Sequence, residues 1–315
     1  MTTRTATTPL ERGAVTLAYN ISHTRLAVFD QDGQLSSWRR DGDTRDWVLS
    51  GSWEPQGQRV TTLCWAAPEF GSVVCSGGAD GSVCLWAEAA GGWELRARLA
   101  ESGQGVLDVA FAPREMGPVV AAAYADGFVR LFEASAPLDA PSWDLHSELR
   151  AGEGGRACTS VSWRGHDPAL PPLLAAGTAG GGVQVWMFRR SLLRWERAAQ
   201  LGSAADDYQG CPVAAVAWAP TLGRPAELVA AAAGTRVVLW ALRGAADALE
   251  AERVAVLEHE HGVWQLGWNL LGSWLAASTE GGEVCMWRPD LSGEWLLLNK
   301  IQGGGAAAED GDMLT

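Results

Sequence analysis

Apolar residues in this chain do not follow helical spacing; they gather in short runs, and two kinds of run alternate. The first kind is closed by an aromatic: AVTLAY to Tyr19, VTTLCW to Trp65, VLDVAF to Phe111, CTSVSW to Trp163, VAAVAW to Trp218 and VWQLGW to Trp268. The second kind follows each of these: DGQLSSW to Trp38, DGSVCLW to Trp86, DGFVRLF to Phe132, GGVQVW to Trp186, TRVVLW to Trp240 and GGEVCMW to Trp287. The unit recurs about every 50 residues, the period of propeller blades.

Each unit reads as four strands. The first ends at the first aromatic and the third at the second aromatic. Between them lies another apolar run, such as SVVCSG, PVVAAAY, LLAAGT, ELVAAAA or WLAAST. A further tryptophan marks the start of the fourth strand in five units: Trp47, Trp93, Trp143, Trp195 and Trp295. Their recurrence once per unit points to packing and not to an aromatic cage. Runs such as VCSGG are apolar at consecutive positions, so both faces of the sheet are expected to be buried, as in stacked blades. The pairs Asp32-Gly33, Asp80-Gly81 and Asp126-Gly127 sit between second and third strands. They predict tight hairpins with positive φ at both residues.

The predicted fold is all-β, a six-bladed β-propeller with blades near 14–55, 58–101, 105–150, 156–202, 211–259 and 262–302. Residues 1–13 are expected to be flexible, and the acidic tail 303–315 to be disordered. The stretch Gly244–Glu252 reads as a short helix or an insertion in blade 5. No strand is left over. The first unit has its own first strand near Ala14, and the last has its own fourth strand from Glu294. An exchange of strands between the termini is therefore not visible, and the ring is expected to be open between blades 1 and 6. An open seam leaves apolar faces and strand edges that proteins usually cover. A partner segment adding strands there would act by β-augmentation.

Composition narrows the chemistry. The formal net charge of −13 disfavours direct nucleic-acid binding. Lys300 is the only lysine, which excludes a Walker A motif and leaves one candidate Schiff-base amine. No apolar run is long enough to span a bilayer and the start is polar, so a soluble, non-secreted protein is expected. The six cysteines form no CxxC and most lie in apolar strands, which reads as reduced structural thiols.

Sharper motifs fail on context. Gly152–Ala157 matches GxGxxA, but it leads into a strand and not a helix. The loop Gly77–Ser82 has no lysine and no following helix, so it reads as a turn. His259 and His261 lack a third metal ligand, since His23, His146 and His166 lie in other units. GxSxG, SxxK and HExxH are absent. No catalytic, cofactor-binding or metal-binding residue is assigned.

The segments WAAPEFGSVVCSGGADGSVCLWAE, VAFAPREMGPVVAAAYADGFVRLFEA, AWAPTLGR and VWQLGWNLLGSWLAAS resemble the Seh family of WD-repeat nucleoporins. The resemblance runs from about residue 14 to 302, and the turns PEFG, PREMG and PTLGR carry it. It implies a WD40-type propeller that is open between blades 1 and 6. It also implies a non-catalytic scaffold subunit of the Y-shaped nuclear pore subcomplex at the nuclear envelope. In this family an α-solenoid nucleoporin inserts a strand-rich segment that completes a seventh blade, and the assembly supports transport of protein and mRNA. The resemblance further implies a role in an amino-acid-sensing complex at the lysosome or vacuole. A close paralogue is the outer-coat propeller of COPII vesicles; APREMG and WNLLGSWLAAS favour the nucleoporin side. A propeller enzyme or peptide-reading adaptor would need polar residues converging on one face of the channel.

The family pattern is incomplete here. The Gly-His pair before the first strand is missing almost everywhere, with His261 as the nearest remnant, and no Trp-Asp dipeptide closes a third strand. The Asp–His–Ser–Trp hydrogen-bond network is therefore expected to be weak. The expected seam contacts are Val15, Leu17 and Tyr19 in blade 1, with Trp264, Leu266, Trp268, Val284 and Trp287 in blade 6.

Overall fold

The computed structural model describes residues 13–135, 142–165, 170–220, 226–244 and 249–303. Outside them lie the start of the chain, the tail beyond Gly303, residues 136–141 and 166–169, residues 221–225, which take in all of the PTLGR turn but its proline, and residues 245–248 of the expected blade 5 insertion. Blade 1 holds β1 (Ala14–Tyr19), β2 (Arg25–Asp30), β3 (Leu35–Arg40) and β4 (Trp47–Trp53). Blade 2 holds β5 (Val60–Trp65), β6 (Val73–Gly78), β7 (Val83–Ala89) and β8 (Gly92–Leu99). Blade 3 holds β9 (Val106–Phe111), β10 (Val119–Tyr124), β11 (Phe128–Ala134) and β12 (Trp143–Arg150). Blade 4 holds β13 (Cys158–Trp163), β14 (Leu173–Thr178), β15 (Val183–Arg189) and β16 (Arg194–Leu201). Blade 5 holds β17 (Val213–Trp218), β18 (Glu227–Ala233), β19 (Arg236–Arg243) and β20 (Glu250–Glu258). Blade 6 holds β21 (Val263–Trp268), β22 (Leu275–Thr279), β23 (Glu283–Pro289) and β24 (Trp295–Gln302). Every aromatic-closed first run is a first strand that ends on its aromatic. Glu250–Glu252, read as insertion, is instead the start of β20.

The strands form six four-stranded antiparallel sheets in chain order, so among the described residues no strand is exchanged between blades 1 and 6. Blade faces are apolar because blades pack on one another. Phe29, Leu35 and Trp53 meet Val60, Leu63 and Trp86 across blades 1 and 2. Equivalent cores join blades 2–3, 3–4, 4–5 and 5–6. Burying each such side chain contributes roughly 1.5–3 kcal/mol. The sixth cluster, Leu26, Val28 and Trp38 with Ala14, Leu17 and Trp47, belongs to blade 1 alone.

The Asp-Gly turns differ from the expected type. Gly33, Gly81 and Gly127 have φ of 79°, 83° and 88°, but their aspartates stay out of the left-handed region. Asp80 and Asp126 act through their side chains, and in blade 1 Asp30 does so instead of Asp32, accepting from the Gln34 amide at 2.9 Å. Asp80 accepts from the Ser82 amide at 3.1 Å and from its hydroxyl at 2.7 Å, and Asp126 accepts from the Phe128 amide at 3.0 Å. A carboxylate bonded two residues ahead favours a right-handed turn, which leaves only the glycine in the left-handed region. At Gly81 a Cβ would lie 2.1 Å from the Ser102 carbonyl oxygen.

The polar network expected to be weak is complete in blade 2. Trp86 Nε1 donates to Ser76 Oγ (2.9 Å) and Ser76 Oγ donates to Gln58 Oε1 (2.7 Å). Gln58 Nε2 donates to the Ser82 carbonyl and Ser82 Oγ, both at 2.9 Å. A glutamine thus occupies the histidine's place. Blade 5 uses Tyr208, whose hydroxyl accepts from Trp240 Nε1 (3.0 Å) and donates to the Leu201 carbonyl (3.0 Å). In blade 6 the remnant histidine is His259 and not His261: Trp287 Nε1 lies 3.1 Å from His259 Nε2. All six cysteines are free thiols. Burial pushes Cys84 up to about 11.

Gln58→Leu leaves the Ser76 hydroxyl without its acceptor in a buried site. We expect a loss of about 1–3 kcal/mol, measured by urea unfolding.

Candidate partner interface

First strands contact one another around the centre: β1 with β5, β5 with β9, β9 with β13, β13 with β17, and β17 with β21. No such packing joins β21 to β1 among the described residues. The chemistry of the closing aromatic explains the ties. Trp65 Nε1 donates to the Ala18 carbonyl at 2.8 Å, Trp163 Nε1 to Ala110 at 3.1 Å, and Trp268 Nε1 to Ala217 at 3.0 Å. Each bond reaches back to the first strand of the preceding blade. The Phe111 ring has no N–H, and its blade is tied instead by Thr61 Oγ1 donating to the Val106 carbonyl at 2.6 Å. Trp218 is held through its backbone amide, which donates to Ser162 Oγ at 2.9 Å. In blade 1 the closing residue is Tyr19. Its ring stands beside His23 (5.6 Å) and Trp47 (5.8 Å), both of blade 1.

Asp108 is the other tie. Its Oδ2 accepts from Ser160 Oγ (3.1 Å) and the Val161 amide (2.9 Å) of blade 4. Its Oδ1 accepts from its neighbour Val109 (2.9 Å) and from Thr62 of blade 2 (3.4 Å). Burial raises its pKa from 3.8 to about 6, and the four hydrogen bonds oppose that rise.

The structure divides the sequence-predicted seam residues into three groups. Leu17 and Tyr19 lie on the face of blade 1 that is turned away from blade 2, since Ala18 between them packs on blade 2. Leu17 is half-buried in blade 1's own cluster, while Tyr19 is 46% exposed. Val15 and Trp264 are 58% and 54% exposed. Both sit where the register of the first strand shifts, at a β-bulge that removes them from the two-residue alternation. Leu266, Trp268 and Trp287 pack on the cluster shared with blade 5 and so are turned away from the seam. Alternation sends their neighbours the other way, so Val284 and Met286 share the seam side. Ile301 pairs with Val284, is 49% exposed, and belongs to the same side. Sequence reasoning missed Ile301 and Met286; the pairing register of β23 with β24 reveals them.

Among the described residues no cluster of three or more His, Cys, Asp or Glu could hold a metal, and no helix is long and apolar enough to cross a membrane.

Comparisons with known proteins agree with this geometry. The WD domain, G-beta repeat family matches residues 251–288. That span starts in the last strand of blade 5 and runs through the third strand of blade 6, so the sequence repeat is phased one strand ahead of the blade. The chain is 29% identical to Protein SEH1 of Arabidopsis thaliana, over 91% of this chain and 94% of that one. It is 29% identical to Nucleoporin SEH1 of Xenopus tropicalis and 28% identical to that of Homo sapiens, over 92% of this chain and 85% of each relative. The chain is a WD-repeat propeller that is similar to the SEH1 proteins along about nine-tenths of its length. Its fold also matches a solved structural-genomics protein from Lactobacillus plantarum, with a TM-score of 0.69 and 15% identity over 92% of this chain and 85% of that one. That likeness speaks for the fold alone.

Because its folded pKa lies above the ordinary value, Asp108 favours folding when protonated. Its contribution is full below the ordinary carboxylate range and is lost as pH rises through about 6. Relative to Asp108→Asn, the native chain should lose stability between about pH 5 and about pH 7, measured by thermal unfolding at both.

Proposed function

We propose that this propeller is a Seh-type, non-catalytic scaffold subunit of the Y-shaped nuclear pore subcomplex. It captures an α-solenoid nucleoporin, whose inserted strands complete the open ring, and so supports transport of protein and mRNA at the nuclear envelope. One observation carries the reading: a chain similar along nine-tenths of its length to Nucleoporin SEH1 has its first strands packed at five blade junctions and, among the described residues, no comparable packing between blades 6 and 1. The seam presents what an added strand needs. Tyr19, Val284 and Ile301 offer partly exposed apolar surface on both sides, and β-augmentation supplies backbone hydrogen bonds while such side chains give specificity. Trp264 sits at the bulge position from which Thr61 and Thr159 reach the next blade's first strand, so it belongs to the seam, whereas Val15 at the same position lies beside Gln58 and Val60 of blade 2. The acidic charge and the absence of a metal cluster among the described residues give nucleic acid or cofactor chemistry no support.

Affinity purification from cells should recover an α-solenoid nucleoporin together with other scaffold nucleoporins. Recovery of coat or amino-acid-sensing subunits alone would contradict the assignment. Tyr19→Asp and Ile301→Asp change exposed side chains, so they should cut recovery of the solenoid at least about tenfold, a loss near 1.4 kcal/mol, with the melting temperature nearly unchanged.

A further inference from the structure

Blade 4 lacks the polar network that fills blade 2, and the loss leaves a pocket. The two blades share one register: Ser76 pairs with Cys84 as Ala176 pairs with Gln184, and Val74 pairs with Trp86 as Leu174 pairs with Trp186. Reading along it, Arg156 stands at the place of Gln58, Ala176 at that of Ser76, Gly180 at that of Asp80, and Gly182 at that of Ser82. Every side chain of the blade 2 network except the tryptophan is thus deleted or changed. Two buried polar atoms are left without a partner, Gln184 Oε1 and Trp186 Nε1.

The space opens as a cavity of about 540 Å³ at the end of the blade 3–4 junction that carries the turns between second and third strands. Gln184, Arg156, Thr178, Gln200 and Gly180–Gly182 line it. Gln184 is only 5% exposed. Leaving a buried amide oxygen unpaired costs about 1–3 kcal/mol, which a bound donor would relieve. Arg156 forms no ion pair among the described residues; the nearby Glu153 is engaged by Arg197 at 3.1 Å. The loop that carries Arg156 is held in place. The amides of Ala151 and Gly152 donate to the Gly127 carbonyl at 3.0 and 2.8 Å, and Ala179 donates to the Ala157 carbonyl at 2.9 Å. The Arg156 stem lies against Gly180, where a Cβ would meet its Cδ at 3.0 Å.

We propose that this pocket binds a carboxylate side chain of an extended acidic peptide, with Arg156 pairing the carboxylate and Gln184 accepting a peptide N–H. A cation beside an unpaired acceptor selects a ligand that carries both an anion and a donor. A peptide with Asp or Glu has both. The rim Gly180–Gly182 carries no side chains, so a peptide backbone can approach closely. The carboxylate has two available sources, a separate chain or this chain's own acidic run Glu309–Asp312. The site lies between blades 3 and 4, across the ring from the blade 6–1 seam, and does not depend on the seam's function.

The test is anisotropy titration of the full chain with a fluorescein-labelled peptide containing Glu-Asp-Gly-Asp, beside a Gln-Asn-Gly-Asn control. The acidic peptide should bind saturably and the control at least about tenfold more weakly, as a charge-assisted contact requires. Arg156→Gln should weaken acidic-peptide binding by about tenfold or more, whereas Arg156→Lys keeps part of it. Gln184→Leu should weaken binding several-fold with a melting temperature equal to or above that of the native chain, because the lost oxygen had no partner. Raised affinity for added peptide in the full chain carrying E309Q, D310N and D312N assigns the carboxylate to this chain's own tail; unchanged affinity assigns it to a separate chain. Equal binding of both peptides, undiminished binding by Arg156→Gln, or no binding to the native chain and the tail variant alike overturns the proposal.

Discussion

A four-stranded sheet with apolar side chains on both faces cannot stand alone in water, so each blade needs a neighbour on either side. Around most of this ring the need is met by side-chain cores and fixed in register by bonds between first strands. Trp65, Trp163 and Trp268 each send an indole N–H to a carbonyl of the preceding first strand. Tryptophan suits the position because it joins a large apolar body to a donor at its far end. That dual character sets the spacing of blades. Phe111 and Trp218 lack that bond as well, and Thr61 and Ser162 supply substitutes. At Tyr19 no comparable packing joins the first strands of blades 6 and 1 among the described residues, and the seam lies there.

The ring's other irregularities have the same origin in single side chains. Where Gln58, Ser76 and Ser82 are present, they and the Trp86 indole N–H engage one another in a closed network. Where their counterparts are Arg156, Ala176 and Gly182, the same backbone encloses a pocket and leaves polar atoms unpaired. Repetition of the fold makes each blade a control for the others.

Much of this was legible in the chain. The aromatic that closes each first strand is the residue at which the strand ends, because the apolar run and the packing it serves are the same feature. Three things were not legible. Asp32, Asp80 and Asp126 looked like left-handed turn residues, but none takes a positive φ; the carboxylates of Asp80 and Asp126 bind the backbone ahead, while in blade 1 Asp30 accepts from the Gln34 amide, and composition alone does not separate these. Leu266, Trp268 and Trp287 looked like seam residues because blade 6 is last. Strand alternation puts them on blade 5, and the bulge beside Val263 resets that alternation where simple counting would continue it. Gln58 escaped notice because the expected network is defined by a histidine, while the geometry asks only for an acceptor and a donor at that place.

The central claim is that five junctions are tied and the sixth is not. Hydrogen exchange of the isolated chain measures this directly, since local opening is easiest where packing is missing. Amides of blades 1 and 6 should exchange measurably faster than those of blades 3 and 4, whose faces are covered on both sides. Equal protection of all six blades in the isolated chain would contradict the claim.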